Sequence, residues 1–376
     1  MKYMGSKRWM LQNGLGALLR AECADAKRFV DLFAGSGAVA CFVAQQETLP
    51  VLASDLQVFS VILTEAIIAR DKPLDADRIW REWFEAARRS FPRIRIPEVG
   101  SLTRRDVAAF RDWSESRRAW SVTHAYGGHY FSPLQATWID ALRRAIPDHE
   151  PVRTLTLAAL IFAASRCAAS PGHTAQPFQP TRTAKRFLRE AWSKNITVYT
   201  QQALRVIAPQ HARLKGQARV ADANTMAKQL QVGDLVFIDP PYSNVQYSRF
   251  YHVLETIAVG ASGEVSGAGR YPARSLRPQS KFSVKTHAFA ELQELLGTVA
   301  ERGAKAILTF PDHDCSNGLS GKIIRETAAG LFLVKTKTVN SKFSTLGGNA
   351  RMAETGKGRQ ARQMAKELIL TLAPKK

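Results

Sequence analysis

At 376 residues with 45% hydrophobic content, the chain is long enough for two domains and has the apolar share of an ordinary globular protein, which excludes disordered and fibrous classes. The formal charge of +21, from 53 basic against 32 acidic residues, points to a polyanionic partner. The longest apolar run, Leu155 to Ala164, is too short to span a bilayer, and Met1 to Met10 holds no apolar signal core; Cys23, Cys41, Cys167 and Cys315 lack paired spacing, so the expectation is a reduced cytoplasmic protein with no membrane partner, disulfide or metal site.

In chain order, Lys27-Arg28 precede a predicted buried strand, Phe29 to Phe33, that runs into Gly35-Ser36-Gly37 and the apolar helical stretch Ala38 to Ala44. Gly35 and Gly37 carry no Cβ, so the backbone can turn sharply and a ligand can approach the strand's carboxyl end. On these residues alone, ligand binding and plain packing of helix on strand explain the turn equally. Pro50 to Ser54 predicts the next strand. Asp55 at its end can accept hydrogen bonds from both hydroxyls of a ribose, cap the helical run Val58 to Ala69, or do both.

From Asp75 to Ala145 tryptophans, phenylalanines and tyrosines alternate with arginines, and the spacing Ile79-Trp80-Trp83-Phe84-Ala87 predicts a helix, so most of these rings belong to the core of a small helical unit. Two loops stand out as places where a nucleic acid could come close: Tyr126-Gly127-Gly128-His129-Tyr130, and Ser170 to Gln176 with His173. Thr181 to Lys215 carries eight basic residues, among them Arg182, Lys185 and Arg186, against Glu190 alone. Gly267 to His287 carries five, including Lys281 and Lys285, with no acid. A third set, Lys335, Lys337, Lys342, Arg351, Lys357, Arg359 and Arg362, faces only Glu354, and the last two sets read as mobile loops that order on a phosphate backbone.

The apolar strand Leu235 to Ile238 leads into Asp239-Pro240-Pro241-Tyr242. Two prolines remove backbone donors and fix φ, so the loop holds one shape with projecting carbonyls. A strand end covered by a tyrosine is the plain alternative, and it leaves the aspartate unexplained. An exocyclic base amine is a poor nucleophile because its lone pair is delocalised into the ring; Asp239 and the Pro240 carbonyl would accept its two hydrogens while Tyr242 stacks on the base. Tyr247 and Arg249 then precede a predicted helix, Phe250 to Ala258, and one or the other could lie beside an extruded base, whereas His252 reads as a structural hydrogen-bonder. Later strands are predicted at Ala304 to Phe310, Leu331 to Thr336 and Glu367 to Leu372.

The Asp31-Leu32-Phe33-Ala34-Gly35-Ser36-Gly37 run and the Asp239-Pro240-Pro241-Tyr242 loop together resemble the S-adenosylmethionine-dependent DNA adenine-N6 methyltransferases of the D12 class, in the α order with the donor loop first. The resemblance implies an α/β, Rossmann-like class I methyltransferase fold with a mixed seven-stranded sheet ending in a hairpin, and an inserted, mainly helical target-recognition domain. Asp55 and Asp222 lie 167 positions apart (222 − 55), more than a crossover needs, which gives expected parts 1–72 and 216–376 for the methyltransferase and 73–215 for the insert.

The resemblance also implies S-adenosylmethionine as cofactor, with Tyr3, Met4, Gly5 and Lys7 closing over it. Asp31, Leu32, Phe33, Gly35, Ser36 and Gly37 would form its loop, Asp55 with Leu56 would hold its ribose, and Asp222 with Ala223 would lie near its adenine. Asp239, Pro240, Pro241 and Tyr242 would be catalytic, on an adenine flipped from duplex DNA. The DNA contacts expected are Tyr126, His129, His173, Arg182, Lys185, Arg186, Tyr247, Arg249, Lys281, Lys285, Lys342 and Arg351. Adenine-N6 methylation of RNA, cytosine-N4 methylation, whose enzymes more often have serine where Asp239 stands, and a non-catalytic nucleic-acid-binding subunit are the alternatives. A homodimer and a cognate restriction endonuclease are the further partners left open, with location at the nucleoid.

Overall fold

The computed structural model describes residues 7–344 and 362–375. Its chain divides into two compact units, one of residues 7–55, Arg219–Gln246, 280–344 and 362–375, the other of Leu56–Ala218 and Tyr247–Gln279.

The first unit is built on a mixed seven-stranded sheet. Its strands are β1 (Arg28–Asp31), β2 (Val51–Asp55), β3 (Gln217–Val220), β4 (Asp234–Ile238), β5 (Lys305–Pro311), β6 (Phe332–Ser344) and β7 (Arg362–Pro374), in the order β3-β2-β1-β4-β5-β7-β6. β1, β2, β4 and β5 run parallel, and β7 turns antiparallel between β5 and β6. The central strands are near-continuous apolar runs because both faces are covered. Phe29, Val236, Phe237 and Leu308 are all buried, and Leu292, Leu295, Leu296 and Val299 of the helix Ala288–Glu301 pack on one face. Arg28 and Asp234 form a two-point ion pair across β1 and β4, at 3.0 and 2.6 Å, at the end of the sheet away from the glycine turn. The sheet is the mixed one expected, hairpin included. Both hairpin strands are longer than their apolar cores, because residues 335–338 are exposed and polar while their backbone groups are still paired across the ladder. Lys335 and Lys337 therefore lie on a strand, not on a mobile loop.

The second unit is mainly helical. Val152–Cys167 is its apolar centre, and the run from Leu155 to Ala164 is almost wholly buried there. Thr103 with Asp106 and Ser132 with Gln135 form capping boxes that start two of its helices. Trp80, Trp83, Phe84, Phe91 and Trp138 make one aromatic cluster, with the Trp83 indole donating to the Leu142 carbonyl at 2.9 Å, so these rings are core as expected. The buried Arg70 guanidinium donates to the carbonyls of Ala66, Lys72, Ile207 and Ala208, tying two helix ends together, and burial lowers its pKa to about 10. The amides of Val58 and Phe59 donate to Glu255, so the helix Val58–Ile68 is capped by that carboxylate and not by Asp55.

The stretch from Gly267 in this unit is ordered, contrary to its reading as a mobile loop. Val265–Ser266 pairs with Tyr271–Pro272, Arg270 donates to the Ala125 carbonyl and pairs with Glu115 at 2.8 Å, and the Tyr130 hydroxyl and His252 Nε2 both meet the Gly269 carbonyl. Among the described residues no helix is long and apolar enough to cross a membrane.

Replacing Leu308 on β5 by alanine is expected to destabilise the sheet unit by about 2–5 kcal/mol, read as a lower urea midpoint at unchanged slope.

Candidate active site

The sheet brings the two sequence motifs to one edge. β1 and β4 pair in parallel with Asp31 opposite Phe237, so the residues that follow each strand leave side by side. After β1, Gly35 and Gly37 take φ of 52° and 73°, a left-handed backbone that other residues rarely adopt, and Gly37 starts the helix Ala38–Gln46. Asp55, at the end of β2, accepts a hydrogen bond from the Gly35 amide at 2.8 Å, locking the turn against its neighbouring strand. Phe33 packs edge-on to Phe282 with ring centroids 5.2 Å apart.

Asp31 is 1% exposed and receives the Phe33 amide at 3.2 Å. Burial raises its pKa to about 8; the Phe33 amide opposes the shift, and the nearby carboxyls of Asp239 and Asp55 add to it. A buried carboxyl of this kind fits a cationic ligand group.

Asp239 follows β4 and has a side chain 19% exposed. Its Oδ1 receives the Thr309 hydroxyl at 2.9 Å from β5 and the Lys7 ammonium at 2.9 Å. Lys7 in turn contacts Glu367 of β7. Burial raises the Asp239 pKa and Lys7 opposes this, while Glu367 adds to it. Burial would lower the Lys7 pKa, but the two carboxylates outweigh it and hold it above its ordinary value. Asn317 donates to the carbonyls of Pro241, at 2.8 Å, and Phe282, at 3.0 Å, which pins the diproline loop. The Asp239 Oδ2 and the Pro240 carbonyl receive no donor among the described residues. Tyr242 is half-buried against the core.

Lys7, Asp31, Leu32, Phe33, Gly35, Ser36, Gly37, Asp55, Pro240, Pro241 and Tyr242 thus lie in the same unit as Asp239. Tyr3, Met4, Gly5 and Arg351 lie outside the described residues. Asp222 caps the short helix Ala223–Ala227, its Oδ1 accepting from Asn224 and Thr225, and Ala223 is buried.

Of the nucleic-acid candidates, Tyr126 is fully buried with its hydroxyl against Thr256, and Tyr130 is buried with it. Their glycines answer to the protein itself: a Cβ on Gly127 would lie 2.4 Å from Ser114 Oγ, and one on Gly128 would lie 2.7 Å from the Arg111 backbone nitrogen. That loop is a packing corner, and burial removes Tyr126 as a surface aromatic. His129 lies 3.8 Å from Glu115, and burial followed by Arg111 and Arg270 lowers its pKa to about 3. His173 packs on Phe250, and burial lowers its pKa. Arg182 and Arg186 are exposed, Arg186 over the Phe187 ring, and Lys185 is half-buried. Tyr247 is half-buried at the start of the helix Tyr247–Val259, with Arg249 exposed beyond it, its guanidinium 4.7 Å from the Tyr271 ring. Lys281 pairs with Glu291 at 3.3 Å, Lys285 is exposed, and Lys342 lies on β6. His252 is buried between the Arg249 and Gly269 carbonyls, with burial lowering its pKa to about 4, as suits a structural residue.

Sequence reading missed Thr309, Asn317 and Glu367. The available signals were a lone hydroxyl late in the apolar strand Ala306 to Phe310, and a lone acid heading Leu368 to Leu370.

The chain matches the model of the D12 class N6 adenine-specific DNA methyltransferase family over residues 3–300. It is 24% identical to modification methylase LlaI of Lactococcus lactis subsp. lactis, over 78% of this chain and 44% of that protein. It is 25% identical to type II methyltransferase M.FokI of Planomicrobium okeanokoites, over 71% and 38%, and 21% identical to modification methylase StsI of Streptococcus sanguinis, over 80% and 42%. The chain therefore spans less than half the length of each of these relatives.

Because the folded Asp31 pKa, about 8, lies above its ordinary 3.8, the folded state holds a proton that the unfolded chain has released, and stability falls as pH rises through that window. Asp31→Asn is expected to raise the melting temperature of the ligand-free protein above about pH 8 and to change it little below about pH 4, as scanning calorimetry across that range would show.

Proposed function

The chain belongs to the D12 class N6 adenine-specific DNA methyltransferase family, and we propose that it moves the methyl group of S-adenosylmethionine to the N6 amine of an adenine turned out of duplex DNA. The observation that carries this reading is the Asp239 carboxylate, held through Oδ1 by Lys7 and Thr309 with Oδ2 and the Pro240 carbonyl left as acceptors.

Those two acceptors match the two hydrogens of the amine. Drawing on both hydrogens favours a pyramidal nitrogen whose lone pair is free to attack, and the proton released afterwards passes by way of Asp239 to solvent. Tyr242 offers a ring face to the flipped base. The bound donor supplies a sulfonium methyl, an electrophile that needs alignment and no covalent catalysis. Buried Asp31 is suited to an ammonium, Asp55 to ribose hydroxyls, and the turn at Gly35 and Gly37 to close approach of the backbone, so the residues present fit the cofactor. Asp222 would meet the donor's adenine with the oxygen its cap leaves over.

Residues 73–215 would read the target, with Arg182 and Arg186 against phosphates. The relatives' names, modification methylases among them, support a modification role; a cytoplasmic location and a cognate endonuclease as partner belong to the proposal alone.

Labelled methyl transfer to unmethylated duplex DNA and to total RNA, followed by nucleoside analysis, tests the reading. N6-methyladenine in DNA is expected; label in RNA or as N4-methylcytosine would overturn the substrate, and no label in either would leave a non-catalytic binding protein. Asp239→Ala is expected to lower the rate by about 10²–10⁴-fold. Asp31→Asn, by removing a charge-assisted contact worth about 1.5–3 kcal/mol, is expected to weaken donor binding by about 10- to 150-fold in calorimetry.

A further inference from the structure

We propose that Glu367 and Thr309 are positioning residues that decide which oxygen of Asp239 meets the target amine, Glu367 acting through Lys7. The inference rests on the catalytic reading of Asp239 given above and deepens it.

Lys7 is buried between two carboxylates distant from it in the chain, 6% exposed against 19% for the Asp239 side chain and 12% for that of Glu367. An ammonium so placed has one obvious consequence. Bound to Asp239 alone, it would neutralise the group that must draw on the amine hydrogens, and would compete with them directly. Shared with Glu367, it leaves one charge in the trio uncompensated, and Asp239 keeps its basicity.

Thr309 settles the orientation. Its hydroxyl donates to the same Oδ1 that Lys7 contacts, so both protein partners occupy one oxygen and Oδ2 is left to the substrate. β5 and β7 supply these groups because they are neighbours in register: Thr309 lies opposite Ile369, and Pro311 opposite Glu367, beside the carboxyl end of β4. The charged groups bearing on Asp239 are Lys7 before β1, Glu367 on β7 and Asp31 on β1, with Asp55 of β2 bearing in turn on Asp31. Glu367 opposes Lys7 in its effect on Asp239, so removing one or the other is expected to move Asp239 in opposite directions.

Steady-state methyl transfer by the full chain, measured across pH for the unaltered protein, Glu367→Gln, Lys7→Met and Thr309→Val, tests this. Glu367→Gln is expected to lower kcat about tenfold at unchanged KM for donor and DNA, and to move the acid limb of kcat to lower pH. Lys7→Met is expected to move that limb to higher pH. Thr309→Val is expected to lower kcat several-fold with KM unchanged.

A Glu367→Gln enzyme with the unaltered kcat, or one that loses activity without a shift of the acid limb, overturns the inference and leaves the catalytic reading intact. Should Glu367→Gln melt at the assay temperature, the decision passes to Thr309→Val, for which an unaltered kcat overturns the inference and a lower kcat at constant KM supports it. No methyl transfer by the unaltered protein would overturn both the catalytic reading and this inference.

Discussion

Parallel pairing of β1 with β4 is the contact on which the site depends. The two strands lie 206 positions apart at the Arg28–Asp234 pair, yet their register sets Asp31 opposite Phe237 and sends the glycine turn and the diproline loop out of the same sheet edge. A slip of one residue would turn Asp31 to the other face of the sheet. The ion pair at the amino ends and the apolar packing along the strands hold the register, and both loops of the proposed site leave at the carboxyl ends.

Charge is distributed against the trend of the whole molecule. A chain of formal charge +21 gathers Asp31, Asp55, Asp239 and Glu367 in its sheet unit, with the Lys7 ammonium between Asp239 and Glu367. On the proposed reading, the basic charge would suit the phosphates of a nucleic acid, and the acidic groups would suit a donor that brings a sulfonium and an ammonium. Such a donor would lose its sulfonium charge on giving up the methyl group, which would weaken its hold on the site and favour exchange of product for fresh donor. Burying Asp31 without a cation costs stability in the free protein, a familiar trade at functional sites.

Much of this was legible in the chain. Alternation of apolar strands and helices predicted the sheet, because strands covered on both faces leave continuous apolar runs. Gly35, Gly37 and Asp239-Pro240-Pro241-Tyr242 were legible because few residue types tolerate those backbone shapes. Tyr126-Gly127-Gly128-His129-Tyr130 misled, since glycines that admit a ligand and glycines that admit a neighbouring helix look alike until the helix is in place. The basic stretch from Gly267 misled for a related reason: its order comes from Tyr130 and Glu115, distant in sequence, together with His252.

By itself, then, the sequence determined the strand-turn-helix opening of an α/β sheet, the two loops of the proposed site and the expectation of a polyanionic partner, since each depends on local backbone preference or on composition, while the fold class followed from the resemblance that those loops carry. The tertiary structure alone decided that Lys7 reaches Asp239, that Glu367 shares it and that Thr309 takes the same oxygen. Those contacts join residues up to 360 positions apart, and their distances follow from strand order and register, which no local pattern encodes.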